Sequence, residues 1–155
     1  NVDPVSYRET EVAGDLSTIY SYVSNFGLVE RHLLLHSADH KYTKISEGNE
    51  QFLGRVPFLG TEETLRIVKN KEETFYPDET TKVHLVKYTI VADKFEVMQY
   101  FHCSQQKNAA RVKVAVETVL FCRAQFLRSL CRLLQPWLNS KTEQSLQEIK
   151  AKAAL

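Results

Sequence analysis

An α+β fold in a single domain, with a strongly curved antiparallel sheet wrapped around a long C-terminal helix and two short helices after the first strand, is the architecture this sequence predicts. Three observations predict it. Helix-spaced apolar residues occur near the two ends of the chain, between Asp15 and Leu35 and again from Phe126 onward. Between them, from Lys41 to Phe121, runs rich in Val, Ile, Tyr, Phe and Thr are joined by short polar turns, so consecutive strands should pair antiparallel. Finally, "CRAQFLRSLCRLLQPWL", Cys122 to Leu138, carries apolar residues over more of its circumference than a surface helix needs. At 155 residues the chain can bury most of its apolar surface around one core, so residues 1–155 read as one domain.

The elements follow in order. Val5 to Val12 alternates well enough for a strand, and Gly14-Asp15 breaks it. Asp15 is a good N-cap for a helix over Asp15 to Ser24, where Leu16, Ile19, Tyr20 and Val23 recur at helical spacing. A second short helix is expected at Leu28 to Leu35, after the interruption at Asn25-Phe26-Gly27. Lys41 to Ser46 and Glu50 to Val56 form a hairpin around Glu47-Gly48-Asn49, with Pro57 ending its second strand. Thr61 to Lys69 is the next strand, and Asn70 to Thr81, charged and containing Pro77-Asp78, reads as a long turn region with a little strand at Thr74 to Tyr76. Lys82 to Ala92, Lys94 or Phe95 to Ser104, and Arg111 to Phe121 are the clearest strands and form a meander. In the terminal helix, Phe126, Leu127, Leu130, Cys131, Leu133, Leu134, Trp137 and Leu138 make a wide apolar stripe, continued by Leu146 and Ile149. Pro136 either kinks one long helix or starts a second.

Composition narrows the function classes. The chain is 43% hydrophobic and 25% charged, as ordinary globular proteins are, and no apolar run is long enough to span a membrane as a helix. It opens on Asn1 with neither an initiator Met nor a signal-peptide pattern, consistent with an excised fragment. Its three cysteines, Cys103, Cys122 and Cys131, sit in apolar segments without C-x-x-C spacing, and are expected as buried free thiols in a reducing, cytoplasmic setting. Charge is uneven: Asn1 to Glu79 holds 8 Lys/Arg against 14 Asp/Glu, a net of −6, whereas Thr80 to Leu155 holds 12 against 5, a net of +7. An anionic surface is one reading of the basic half, and a solvated helix face balanced by the acidic half is the other.

Catalytic signatures are missing: no G-x-S-x-G, no phosphate-binding glycine loop and no H-E-x-x-H occurs. One metal-like constellation stands in "HLLLHSADH", where His32 and His36 at i, i+4 share a helix face near Asp39 and His40. Ordinarily hydrogen-bonded histidines are the plainer account, so neither a metal nor a cofactor is expected. Nucleic-acid binding is not expected either, because the basic residues are not interleaved with aromatics in a recognisable module.

In its order of elements, in "VSYRETEVAGDLSTIYSYVSN" (Val5 to Asn25) and in "FLRSLCRLLQPWLNSKTEQSLQEIKAKA" (Phe126 to Ala153), the chain resembles the START-like, or helix-grip, superfamily. Lipid-transfer domains, polyketide cyclases, coenzyme Q binding proteins and plant pathogenesis-related allergens are members. The Trp-Pro pair often found after the first helix is replaced by "GLVERHLLLHSADH", so no subfamily is assigned.

The resemblance implies a deep cavity between the concave sheet face and the terminal helix, closed around an apolar small molecule. Tyr88, Met98, Tyr100, Phe101, Val114, Val116, Phe126, Leu130, Leu134 and Trp137 are then the candidate ligand-binding residues. The apolar width of the terminal segment would face both sheet and ligand. The leading expectation is a non-enzymatic carrier of a lipid or other apolar ligand, a sterol among them, that could move it between membranes. Arg123, Arg128 and Arg132 would dock its mouth on anionic headgroups. A cyclase- or hydratase-like enzyme using His84, Tyr100 or His102 as acid or base is the runner-up. A protein-interaction module with a filled cavity and an exposed apolar patch is the third reading.

Overall fold

The computed structural model describes residues 3–25, 43–47, 51–58 and 61–154, with backbone alone for 43–47, 51–58, 61–63 and Phe126. The expected second helix, Leu28 to Leu35, lies outside the described residues. Strand β1 (Val5–Ala13) is followed by helix α1 (Leu16–Val23), then by β2 (Thr43–Glu47), β3 (Gln51–Phe58), β4 (Thr61–Phe75), β5 (Thr81–Val91), β6 (Phe95–Gln106) and β7 (Arg111–Cys122). A 3-10 turn at Gln125–Leu127 leads into α2 (Arg128–Arg132), and α3 (Gln135–Ala153) completes the described chain.

The seven described strands form one antiparallel sheet in the order β1-β7-β6-β5-β4-β3-β2. Sequential hairpins build it from β2 to β7, and the first strand then returns to pair with the last. The helices gather on one face: α3 lies over β1 and β7, and α1 over β5 and β6 and against α3. That face carries the core, with Leu65, Ile67, Val86, Tyr88, Ile90, Val97, Phe101, Val112, Val114, Val116 and Leu120 meeting Leu16, Ile19 and Val23 of α1 and Leu138, Leu146 and Ile149 of α3. This is the α+β arrangement predicted, a curved sheet gripped by the terminal helix.

Local chemistry sets the ends of the elements. Asp15 caps α1 as expected, its Oδ1 accepting the Thr18 amide at 2.8 Å. Gln105 clamps that cap to the β6–β7 turn: its Oε1 accepts from the Leu16 amide at 3.2 Å, and its Nε2 donates to the Gly14 carbonyl at 3.2 Å and the Ala109 carbonyl at 3.0 Å.

Two expectations about the hairpins are corrected. Pro57 does not end β3, which continues to Phe58. Beside the hairpin, where Pro57 faces Glu62, a residue without an amide hydrogen is tolerated. Asn70 to Thr81 is not one long turn: β4 runs through to Phe75, and the register shift between Lys69 and Lys71 absorbs Asn70 as a bulge, with the Asn70 Oδ1 accepting from the Thr89 hydroxyl. The turn proper is Tyr76 to Thr80, held by Asp78, which accepts from the Thr80 amide and hydroxyl and from the Thr81 hydroxyl.

Pro136 starts a helix rather than bending one. It stands in the first turn of α3, where a missing amide hydrogen leaves no intrahelical bond unmade. The chain turns at Leu133 and Leu134 before it, so the stripe from Phe126 to Leu138 belongs to three short-range pieces and not to one helical wheel.

The cysteines need correction too. Cys122, at the end of β7, and Cys131, in α2, pair as a disulfide with Cα atoms 6.6 Å apart, and Cys103 alone is a buried free thiol. The pairing pins α2 to the sheet, and the inference from free thiols to a reducing compartment loses two of its three residues.

Candidate functional site

Strand alternation places the candidate residues on two opposite faces. Tyr88, Phe101, Val114 and Val116 are fully buried on the helix-covered face. Phe101 meets Tyr88 edge to face at a centroid distance of 5.9 Å. The Tyr88 hydroxyl donates to the Val23 carbonyl at 2.7 Å, tying β5 to the last turn of α1, and burial pushes its pKa up.

Met98 and Tyr100 are corrected: they alternate with Val97, Gln99 and Phe101 and stand half-buried on the other face, where Lys87 lies 5.3 Å from the Tyr100 ring centroid. A period of two allows no other result once Phe101 points inward. Trp137 is partly buried against the core. Leu130 and Leu134 are corrected as well, being 56% and 42% exposed, with Leu133 at 74%. The break before α3 turns these leucines outward while Cys131 and Leu138 turn in. Of Phe126 only the backbone is described.

The most distinctive feature of the covered face is polar. Ser6, Thr118, Gln99 and Tyr88 are register partners in a row across β1, β7, β6 and β5, all buried. Over this row α3 presents Thr142 and Ser145, also buried. The Gln99 Nε2 lies 3.2 Å from the Thr118 Oγ1 and 3.4 Å from the Ser145 Oγ, and the Thr142 and Thr118 hydroxyl oxygens are 2.9 Å apart. The Thr142 hydroxyl is also 2.9 Å from the Leu138 carbonyl, and that of Ser145 is 3.1 Å from the Lys141 carbonyl. Two buried atoms of the row, the Gln99 Oε1 and the Ser6 Oγ, have no hydrogen-bond partner among the described residues. Sequence reasoning missed this row, although Gln99 lies midway between two residues expected to face inward, Val97 and Phe101.

Candidate acid-base residues are divided. Tyr100 and His102 lie on the face away from the helices. Burial lowers the His102 pKa against an opposing effect of Glu117. His84 is different: it stacks on Tyr20 at 4.6 Å, its Nδ1 is 2.6 Å from the Thr74 Oγ1, and burial, then Lys82, lower its pKa. It helps line an open concavity of about 680 Å³ at the start of α1, with Asp15, Leu16, Tyr76, Lys82 and Gln105. Burial also raises the Tyr20 phenol to about 12.

Among the described residues no group of three His, Cys, Asp or Glu could hold a metal, and His32, His36, Asp39 and His40 lie outside them. No described helix is long and apolar enough to cross a membrane.

The arginines beside the exposed leucines are engaged in different ways. Arg123 is ion-paired with Glu96, Arg128 sits 5.4 Å from the Phe121 ring centroid, and Arg132 is exposed in the last turn of α2.

No family model matches the sequence, and no curated protein matches it. Solved structures do. A truncated norcoclaurine synthase from Thalictrum flavum is similar over 99% of this chain and 94% of its own, at 16% identity and a TM-score of 0.59. A Thermus thermophilus protein is similar over 97% of both chains, at 11% identity and a TM-score of 0.57. A START superfamily protein from Mycobacterium smegmatis matches more loosely over 97% of this chain and 93% of its own, at 18% identity and a TM-score of 0.46. The first two superpositions, together with the order and pairing of the elements, show that the chain has the START-like, helix-grip fold.

Proposed function

We propose that the chain encloses an apolar small molecule, a lipid or a sterol-like compound, between the covered sheet face and α3, and carries it between membranes. The observation that supports this reading is the polar row at the centre of that apolar face. Sites for apolar molecules combine greasy walls with a few placed polar groups. An unpartnered buried polar atom costs about 1–3 kcal/mol, so the Gln99 Oε1 and Ser6 Oγ mark a place that the described residues leave unsatisfied. Tyr88, Phe101, Val114 and Val116 supply the greasy wall, and each Å² of ligand taken from water adds about 25 cal/mol.

Membrane contact belongs to the same reading. Leu130, Leu133 and Leu134 are exposed beside Arg128 and Arg132, a pairing of apolar and basic groups that suits an anionic bilayer surface. Incubation of the delipidated protein with vesicles containing tritiated phospholipid, fatty acid and cholesterol, followed by separation, tests the proposal: one class should leave the vesicles with the protein in a ratio near one to one. Retention of none would overturn it. The double variant Arg128→Glu/Arg132→Glu should sediment less with phosphatidylserine vesicles at unchanged stability, and unchanged sedimentation would remove the membrane contact.

A cytoplasmic residence is also part of the reading, and alkylation of thiols in intact cells tests it. A Cys122–Cys131 pair that stays oxidised at steady state would point to an oxidising compartment instead.

A second reading, an enzyme of the cyclase or hydratase kind, rests on His84, whose pKa is lowered by burial and by Lys82 and which stands on the wall of the open concavity. It gains nothing from Tyr100 or His102, which face away.

A further inference from the structure

The hydroxyl protons of the buried row can be assigned one by one, and the assignment fixes what Gln99 offers. A carbonyl oxygen only accepts. The Thr142 hydroxyl therefore donates to the Leu138 carbonyl and the Ser145 hydroxyl to the Lys141 carbonyl, the i−4 bonding usual for such residues inside helices. With its one proton spent, Thr142 can only accept from the Thr118 hydroxyl 2.9 Å away. Thr118 has then spent its proton too, so the Thr118 and Ser145 oxygens can only accept from Gln99. Both protons of the Gln99 Nε2 are thereby claimed, at 3.2 Å and 3.4 Å, and the amide cannot be turned over without setting an acceptor against two acceptors. What remains is the Gln99 Oε1, fully buried, with its lone pairs unused among the described residues.

We infer that Gln99 is the specificity-determining residue of the site and selects, among apolar molecules, those that bring a hydrogen-bond donor: a hydroxyl or an amine rather than an ester, ether or ketone. This inference rests on the carrier reading above. Its direction follows from the helix. Thr142 and Ser145 on α3 lock the amide through their backbone bonds, so the bare acceptor is a fixed property of the interior. A ligand carbonyl there would face the Gln99 Oε1 lone pair to lone pair, whereas a ligand hydroxyl would complete it.

Two matched pairs of probes test the inference: 1-hexadecanol with hexadecyl methyl ether, and cholesterol with cholesteryl methyl ether. Each pair differs by masking one donor while an acceptor oxygen is kept. Affinities are read by competition against a retained fluorescent lipid and by the emission of Trp137. The expected result is that the wild-type protein binds at least one alcohol about tenfold more tightly than its ether, the size of one buried hydrogen bond. In Gln99→Leu the preference should vanish, with the ether bound as well as before or better. Equal affinity for both members of a pair in the wild type overturns the inference while leaving the carrier reading standing. That result needs no variant, so a poorly folding Gln99→Leu cannot obscure it. Failure of all four probes to bind overturns the carrier reading and the role of Gln99 with it.

Discussion

Replacing Tyr88 by Phe removes one oxygen from the interior and leaves the ring in place. That oxygen donates to the Val23 carbonyl at 2.7 Å from a residue with no exposed surface. Val23 lies in the last turn of α1, where carbonyls have no partner within the helix, so the side chain from β5 does the work of a cap. The edge-to-face contact with Phe101 survives the change, which isolates the polar contribution.

Losing a net hydrogen bond and leaving a buried carbonyl unpaired together cost about 1–3 kcal/mol. Urea unfolding should show the midpoint falling by roughly 1 M at an unchanged slope, as for small proteins with slopes of about 1–3 kcal/mol/M. The loss should be local first: α1 is only 8 residues long and is held at its C-terminal end by this bond, beside the Gln105 clamp at its start and the packing of Leu16, Ile19 and Val23, so its amides should exchange with solvent faster than those of β6 and β7. A midpoint and an α1 exchange rate both equal to wild type would refute the reasoning.

Four further outcomes follow from the same geometry. Reduction of the Cys122–Cys131 bridge, or the double change to Ser, opens a loop with a sequence separation of 9 and should cost about 2–3 kcal/mol, read as a lower unfolding midpoint in dithiothreitol. Gly14 has φ +135°, and although a Cβ there would meet only the Ile19 side chain at 3.7 Å, Gly14→Ala should destabilise by about 1–3 kcal/mol in the same assay because an L side chain rarely adopts that φ. Alkali should unfold the protein progressively. Burial raises the Cys103 thiol from 9.0 to about 12 and the Tyr20 phenol from 10.0 to about 12, so their stabilising effect is whole below pH 9 and is lost as pH rises toward 12; Cys103→Val should flatten the lower part of that decline. Acid acts through His84 in the opposite sense: its lowered folded pKa gives a contribution present above about pH 6.5 and lost as pH falls, and His84→Gln should reduce the acid sensitivity of unfolding.

Much of the fold is legible in the sequence because its signals are periodic. Alternation in Lys82 to Phe121 and the cap at Asp15 are local, and both elements form where the pattern puts them. What the pattern does not contain is phase across a break. The stripe from Phe126 to Leu138 reads as one wheel only if the helix is continuous, and the turn at Leu133 and Leu134 moves three leucines to the outside. Asn70 misleads for a related reason, since a polar residue in a bulge looks like a turn until its partner strand is known. The disulfide joins residues nine apart whose approach depends on that same turn.

Within the site, alternation predicts Phe101, Val114 and Val116 correctly as residues of the covered face, and it excludes Met98 and Tyr100 on the same logic. Gln99 was accessible to the same rule: a strand whose inward set is Val97, Phe101 and Cys103 must also turn residue 99 inward. Its polarity hid it from a search for greasy walls. Thr142 and Ser145 have the i, i+3 spacing of one helix face, but only the packing of α3 on β7 shows that the face is the buried one.

The central claim is that the chain holds an apolar molecule between sheet and terminal helix, and native mass spectrometry of the protein as purified from a eukaryotic host tests it most directly. The account predicts a stoichiometric adduct that solvent extraction releases as a lipid bearing a hydroxyl or amine. A protein that runs at its bare mass, and whose Trp137 emission stays unchanged with sterols, phospholipids and fatty acids, would contradict it.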